Sequence, residues 1–215
     1  MKIVLASASP RRRELLSAVC KNFEIKTAET DEHLPPSVHP RDGVEILAVR
    51  KGRAVLDTLD ASEAADSVII SSDTLVELSG VPLGKPADKA GAAAMLRSLS
   101  GKRHNVHTGI AVHARGGVFS GVATTGVYFR DMSDGEIEDY IATGEPMDKA
   151  GAYGIQGGAA IFAEKLCGDY YNVVGFPISK ICVTIKELFG CFTAPATGKF
   201  TNLRTYHSSH WTTKH

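Results

Sequence analysis

Within its first sixteen residues the chain passes from an apolar strand to a basic helix, and this order constrains the fold more than any other feature. Ile3 to Ala6 reads as a buried strand. A Ser7-Ala-Ser9-Pro10 turn follows, and an amphipathic helix then opens with three consecutive arginines, Arg11, Arg12 and Arg13. Ser9 suits the N-cap, and Pro10 suits the first helical position, where a missing N–H costs nothing. The N–H groups of that first turn and the positive end of the helix dipole converge with the arginines on one spot, a combination that attracts anions and phosphates above all. An exposed basic turn is the alternative, but cations there oppose the dipole unless something negative sits beside them.

Composition narrows the field. The 215 residues suffice for one or two compact lobes around a substantial core. With 24 Lys and Arg against 24 Asp and Glu, no net field draws the chain to nucleic acid or a membrane surface, so anion affinity must be local. The opening segment reads as a strand rather than a signal peptide, and no apolar run approaches ~18 residues. Cys20, Cys167, Cys182 and Cys191 form no C-x-x-C pair, which favours free thiols in a reducing cytoplasm. His104 and His107 lie three apart on an expected strand, where side chains face opposite ways and make a poor zinc pair.

Further along, Phe23 to Thr27 reads as a second strand, and prolines 35, 36 and 40 hold the next loop out of regular structure. Val44 to Leu59 reads as a helix burying Val44, Ile46, Leu47 and Val49, with Arg50, Lys51 and Arg53 on or near the other face. Ser67 to Glu77 is an apolar strand broken by a small polar triplet. Leu83-Gly-Lys-Pro86 is a turn, and Asp88 to Leu99 is a helix stopped at Ser100-Gly101. Strands are expected at 105–113 and 117–130, joined through Arg115-Gly-Gly117. Ser133 and Glu136 have capping-box spacing for a helix that Gly144 closes. A glycine-rich segment, Ala150 to Gly158, leads to a hairpin over 160–174, and Pro177 starts a last helix. The pattern gives a mixed α/β fold, with an elongated sheet, flanking helices and two lobes around a central cleft, in one domain over 1–190. Residues 191–215 show no periodicity and are expected to be a disordered or non-native tail.

Three segments carry candidate chemistry. Asp73 lies among Val, Ile, Ser, Thr and Leu, where an unpaired carboxylate is expensive to bury. It therefore binds metal, takes a proton or pairs with a base, unless it closes an Asx turn. Glu32, in a proline-bounded loop, could bind a cation or be a solvated acid. Lys51 alone reads as an ordinary helix-surface residue, whereas Lys85 is held by a turn restricted on both sides, as a phosphate-binding lysine would be. In Asp148-Lys-Ala-Gly-Ala-Tyr-Gly-Ile-Gln-Gly-Gly158, four glycines let backbone approach a flat ligand. Gln156 there could read a base edge with one donor and one acceptor. No G-x-x-x-x-G-K-[ST] run and no glycine fingerprint after a strand occurs.

Together these segments resemble the Maf family of nucleoside triphosphate pyrophosphatases. The resemblance rests on Ala6-Ser-Ala-Ser-Pro-Arg-Arg-Arg-Glu-Leu-Leu16, Ser72-Asp-Thr74, Leu83-Gly-Lys-Pro86, Leu96-Arg-Ser-Leu-Ser-Gly101, Gly144-Glu-Pro-Met-Asp-Lys-Ala-Gly-Ala-Tyr-Gly-Ile-Gln156 and Asn172-Val-Val-Gly-Phe-Pro177. It implies a fold like that of the inosine triphosphate pyrophosphatases and hydrolysis between the α and β phosphates with Mg²⁺, or Mn²⁺ in its place. By position it assigns Ser7, Arg11, Arg12, Lys51, Lys85, Thr74 and Gln156 to the substrate, Glu32 and Asp73 to the metal, and Asp73 to the general base. Thr74 and Gln156, with Arg11, match the branch that prefers dTTP and UTP. The setting implied is a cytoplasmic, nucleotide-pool house-cleaning enzyme, a homodimer, acting on free triphosphates and on neither nucleic acid nor membrane. Two rival readings keep the cleft: 7-methyl-GTP or another modified nucleotide as substrate, or nucleotide binding that regulates septum formation.

Overall fold

A computed structural model describes residues 1–114 and 117–189 of the chain. The joint expected at Arg115 and the tail expected from Cys191 lie outside the described residues. One seven-stranded sheet runs in the order β2-β1-β3-β5-β6-β7, with β4 paired to β3 off that path. Its strands are β1 (Lys2–Leu5), β2 (Glu24–Ile25), β3 (Ser67–Leu78), β4 (Val81–Leu83), β5 (Arg103–Ala114), β6 (Gly117–Phe129) and β7 (Ala163–Cys167). β1 is parallel to β2 and β3, and every other pairing is antiparallel. Helices α1 (Pro10–Val19), α2 (Pro40–Leu56), α3 (Ala61–Ala65), α4 (Lys89–Leu99), α5 (Asp134–Ala142), α6 (Tyr170–Val174) and α7 (Ile178–Phe189) pack around it.

The length of the central strands makes the two lobes. Strands β3 and β5 have 12 residues each and β6 has 13, a span of about 40 Å, which is more than one core covers. At one end, Ile3, Leu5, Val68, Ile70, Ile110 and Val112 bury against α1 and α7. At the other end, Val76, Val106, Val127 and Phe129 bury against α4 and α5. Between these cores the same face carries Ser72, Thr74 and Thr108, a polar band hydrogen-bonded to Gly175, Arg12 and Asn172 where apolar packing stops. On the opposite face, α2 lies over Ile69 and Ser71.

Helix α2 approaches the sheet closely because two glycines permit it. A Cβ at Gly109 of β5 would strike the backbone of Val44. One at Gly52 would strike His113 and Ser71. The Ser71 hydroxyl fills the remaining space and donates to the Ala48 carbonyl at 2.7 Å.

Several expected elements change. Pro40 does not exclude the second helix but starts it: His39 Nδ1 accepts from the Arg41 amide, and Pro40 takes the first position. The buried stripe is Val44, Ala48 and Val55, while Ile46 is exposed, which rotates the buried face toward Lys51. The second strand shrinks to Glu24–Ile25 at the sheet edge, where β1 is its one partner. No hairpin forms over 160–174. A 3₁₀ turn leads into β7, and Asp169 then caps α6 by accepting from the Tyr171 amide at 2.8 Å. The capping box of Ser133 and Glu136 forms with both reciprocal bonds.

Candidate active site

A cleft of about 710 Å³ is lined by Thr74 of that polar band and by Asp73 and Lys51 from the α2 side of the sheet, and a smaller cavity of about 170 Å³ adjoins it at Arg12, Glu32 and Lys51. Asp73 stands midway along β3, in register with Gly109. The close approach that Gly109 permits brings Lys51, two turns beyond Val44 on α2, over the Asp73 carboxylate. Lys51 Nζ donates to Asp73 Oδ1 at 2.6 Å and lies 2.7 Å from Glu32 Oε1. Burial alone would lower the Lys51 pKa, but the charge and hydrogen bond of Asp73, then those of Glu32, outweigh it and raise the value. The lysine read as a surface residue is therefore the cation at the centre of the site, with 22% of its side chain exposed.

Glu32 itself is exposed, yet its loop is held. The Arg50 guanidinium donates to the carbonyls of Asp31 at 3.1 Å and of His33 at 2.8 Å, one on each side of Glu32. In the sequence Arg50 reads only as a residue on or near the polar face of its helix, and nothing there signals this role.

Arg12 does the same for Asp73. Its Nη1 donates to the Ser72 carbonyl at 2.8 Å and to Ser7 Oγ at 3.3 Å, while Nη2 donates to Thr74 Oγ1 at 3.2 Å. Nε donates to the Gly175 carbonyl at 2.9 Å. Burial depresses the guanidinium pKa, and the nearby Asp73 charge opposes that shift. Thr74 is committed as well. Thr108 donates to the Asn172 carbonyl at 2.9 Å, which leaves the Thr74 hydroxyl to donate to Thr108 at 3.0 Å while it accepts from Arg12. Arg12 and Thr74 both line the cleft, and both are parts of its frame.

Arg11 lines the cleft from the first turn of α1, whereas Arg13 is exposed. Ser9 occupies the cap position without a side-chain cap bond; its own amide donates to Ser7 Oγ at 3.2 Å. Ser7 is buried at the wall of the smaller cavity. Lys85 is exposed along the cleft, in a turn fixed to the glycine-rich segment by the Gly151 amide donating to the Gly84 carbonyl at 3.0 Å. Gln156 also lines the cleft and is exposed. The sequence-derived residues thus converge on one pair of adjoining cavities, with Arg12, Glu32 and Lys51 lining both and Asp73 lining the larger.

His104 and His107 go elsewhere. His104 Nε2 meets Tyr153 Oη at 2.8 Å, and His107 Nε2 meets Glu77 Oε2 at 2.8 Å, so both serve buried polar networks.

Asp73 and Glu32 both reach the Lys51 ammonium, so their carboxylates face one another across it. Two carboxylates beside a polyanion cradle suit Mg²⁺, which is commonly held by one or two carboxylates with water and phosphate oxygens. Among the described residues there is no cluster of three or more His, Cys, Asp and Glu side chains.

Residues 2–188 match the family model described as Maf-like protein. The chain is 46% identical over 187 residues to the dTTP/UTP pyrophosphatase of Geobacillus sp. (strain WCH70), covering 87% of this chain and 98% of that one. It is 47% identical to the dTTP/UTP pyrophosphatase of Alkaliphilus metalliredigens, covering 87% and 96%. Among solved structures, the Ham1 protein of Staphylococcus aureus aligns with a TM-score of 0.45 at 16% identity, over 61% of this chain and 73% of that one.

Proposed function

The chain belongs to the Maf-like protein family, and we propose that its cleft hydrolyses nucleoside triphosphates, dTTP and UTP first, to the monophosphate and pyrophosphate. The observation that carries this reading is the Lys51–Asp73–Glu32 cluster in the larger cleft, where Lys51 and Glu32, with Arg12, also line the adjoining smaller cavity. The nucleoside lies along the larger cavity toward Gln156, and the phosphates reach toward Lys51, Lys85, Arg11 and the first turn of α1. About four negative charges on the triphosphate are offset by these cations and the helix terminus.

Lys51 occupies Asp73 Oδ1, and the carboxylate accepts a proton from a water at its other oxygen. That water attacks the α phosphorus, the bond to the bridging oxygen breaks, and pyrophosphate leaves with its charge held by Lys85 and Arg11. Asp73 and Glu32 would hold Mg²⁺ or Mn²⁺, which supplies charge neutralisation and polarises a phosphoryl oxygen. Arg12 contributes its field and holds Ser72 and Thr74 around Asp73. The reading sets the enzyme in the cytoplasm as a homodimer acting on free nucleotides, a substrate class that a net charge of zero does not conflict with.

The test is turnover by the purified chain with Mg²⁺ across common and modified triphosphates, with pyrophosphate and orthophosphate distinguished. Pyrophosphate release fastest on dTTP and UTP is expected. Equal or faster release from 7-methyl-GTP, or orthophosphate as the product, would contradict it.

A further inference from the structure

Gln156 sits in a loop that is fastened on both sides by two residues that no reading of the reaction uses. Two positions before it, the Gly154 amide donates to Tyr140 Oη at 3.0 Å. Two positions after it, the Gly158 amide donates to Glu145 Oε2 at 2.9 Å. The fasteners are joined, because Tyr140 Oη donates to Glu145 Oε1 at 3.0 Å. Each partner has one role in this circuit: the tyrosine accepts from one amide and donates to the carboxylate, which accepts at both oxygens. The Tyr140 pKa is raised, chiefly by burial and further by the Glu145 charge, so the hydroxyl keeps its proton.

The loop packs closely against the Glu145 carboxylate. A Cβ at Gly154 would lie 2.7 Å from Glu145 Oε1 and from Lys149 Cε, and one at Gly157 would strike the Glu145 carboxylate. The fasteners have firm foundations. Tyr140 is buried in α5 and packs edge-on against Phe162 at 5.6 Å between ring centres. The Glu145 backbone is fixed by Lys149 Nζ donating to its carbonyl at 2.7 Å.

We infer that Tyr140 and Glu145 are positioning residues for Gln156, and that their shared hydrogen-bond circuit sets the nucleobase selectivity of the cleft. This rests on the reading that Gln156 meets the base. An amide side chain tells one base edge from another only if its donor and acceptor are held in one orientation, since a mobile amide can present either group. Anchoring the main chain at both flanks limits the directions from which Gln156 projects, and preorganised placement of this kind is what gives a hydrogen-bonding site its discrimination.

The experiment compares Tyr140→Phe, Glu145→Gln, Glu145→Ala and Gln156→Ala for kcat and KM on dTTP, dCTP and dGTP, with Tm measured for each. Tyr140→Phe keeps the buried ring and removes the hydroxyl at which the circuit closes. It is expected to raise KM for dTTP about tenfold, to change kcat less, and to cut the preference for dTTP over dCTP by about fivefold to tenfold. Glu145→Gln, which retains one acceptor oxygen, should fall between wild type and Glu145→Ala. Combining Tyr140→Phe with Gln156→Ala should cost no more selectivity than Gln156→Ala alone. A selectivity change in Gln156→Ala with none in Tyr140→Phe would overturn the circuit and leave the base reading standing. Equal losses on all three nucleotides would reduce Tyr140 and Glu145 to structural roles and overturn it as well. If Gln156→Ala leaves selectivity intact, the base reading fails and the inference falls with it.

Discussion

Lys51 Nζ and Asp73 Oδ1 are 2.6 Å apart, with 22% and 14% of their side chains exposed, and Glu32 joins the same ammonium from a loop. One cation, which lines both cavities, thus holds two carboxylates from different elements.

Replacing Lys51 by Met leaves those carboxylates facing each other unpaired. Like charges favour the protonated form, so the acidic limb of the pH–rate profile should move to higher pH. Turnover at pH 7 should fall about 10²-fold or more, as for loss of a charged group that stabilises developing charge. Steady-state kinetics from pH 5 to 10 checks both. In the wild type, the raised Lys51 pKa contributes stability that is full below the ordinary value of 10.5 and is lost as pH rises through the higher folded value.

His104 gives the opposite sign. Burial, its largest cause, lowers this histidine to about 4 from an ordinary 6.5, so the folded state keeps it neutral where the unfolded chain binds a proton. Stability should therefore decline between pH 6.5 and about 4, by up to about 3 kcal/mol from this group. A His104→Gln variant, compared with wild type by urea unfolding across that range, should show a flatter decline.

Arg12→Lys keeps a charge but cannot serve Ser72, Thr74 and Gly175 from one planar fork. The expected loss is about 2 kcal/mol or more in unfolding free energy. Pyrophosphate release should fall by a common factor on every nucleotide, because the frame of Asp73 is damaged while Gln156 is untouched. A change in nucleobase preference would place Arg12 against the base instead.

Gly109→Ala drives a methyl group into the main chain of Val44, where no flexible side chain can yield. A cost of about 3 kcal/mol or more is expected, with Lys51 displaced from Asp73, so chemical unfolding and turnover should both suffer.

The site was legible wherever a rare residue type stood in a local pattern. Asp73 stood out in an apolar strand, Lys85 in a restricted turn, and the arginines at a helix start. Lys51 gave no such signal, because its meaning depends on Gly109, 58 positions away, letting α2 settle onto the sheet. Arg50 and the Tyr140–Glu145 pair were hidden for the same reason: their partners are main-chain groups of other segments. The fold class followed from strand and helix alternation. Helix boundaries did not, since Pro40 can end a loop or begin a helix, and only the His39 cap decides which. The hairpin expected over 160–174 failed because Asp169, an ordinary turn residue in sequence, caps a helix whose Asn172 Nδ2 donates to the Val106 carbonyl and Thr125 Oγ1, both at 2.9 Å.

Asp73→Asn is the most direct test, because it removes the proton acceptor while keeping the shape of the side chain. Pyrophosphate release from dTTP with Mg²⁺ is measured beside binding of dTTP by calorimetry. Turnover lower by about 10³-fold or more, with dTTP still bound, is the expected result. Turnover within a few fold of wild type would contradict a general-base role for Asp73 and the account built on it.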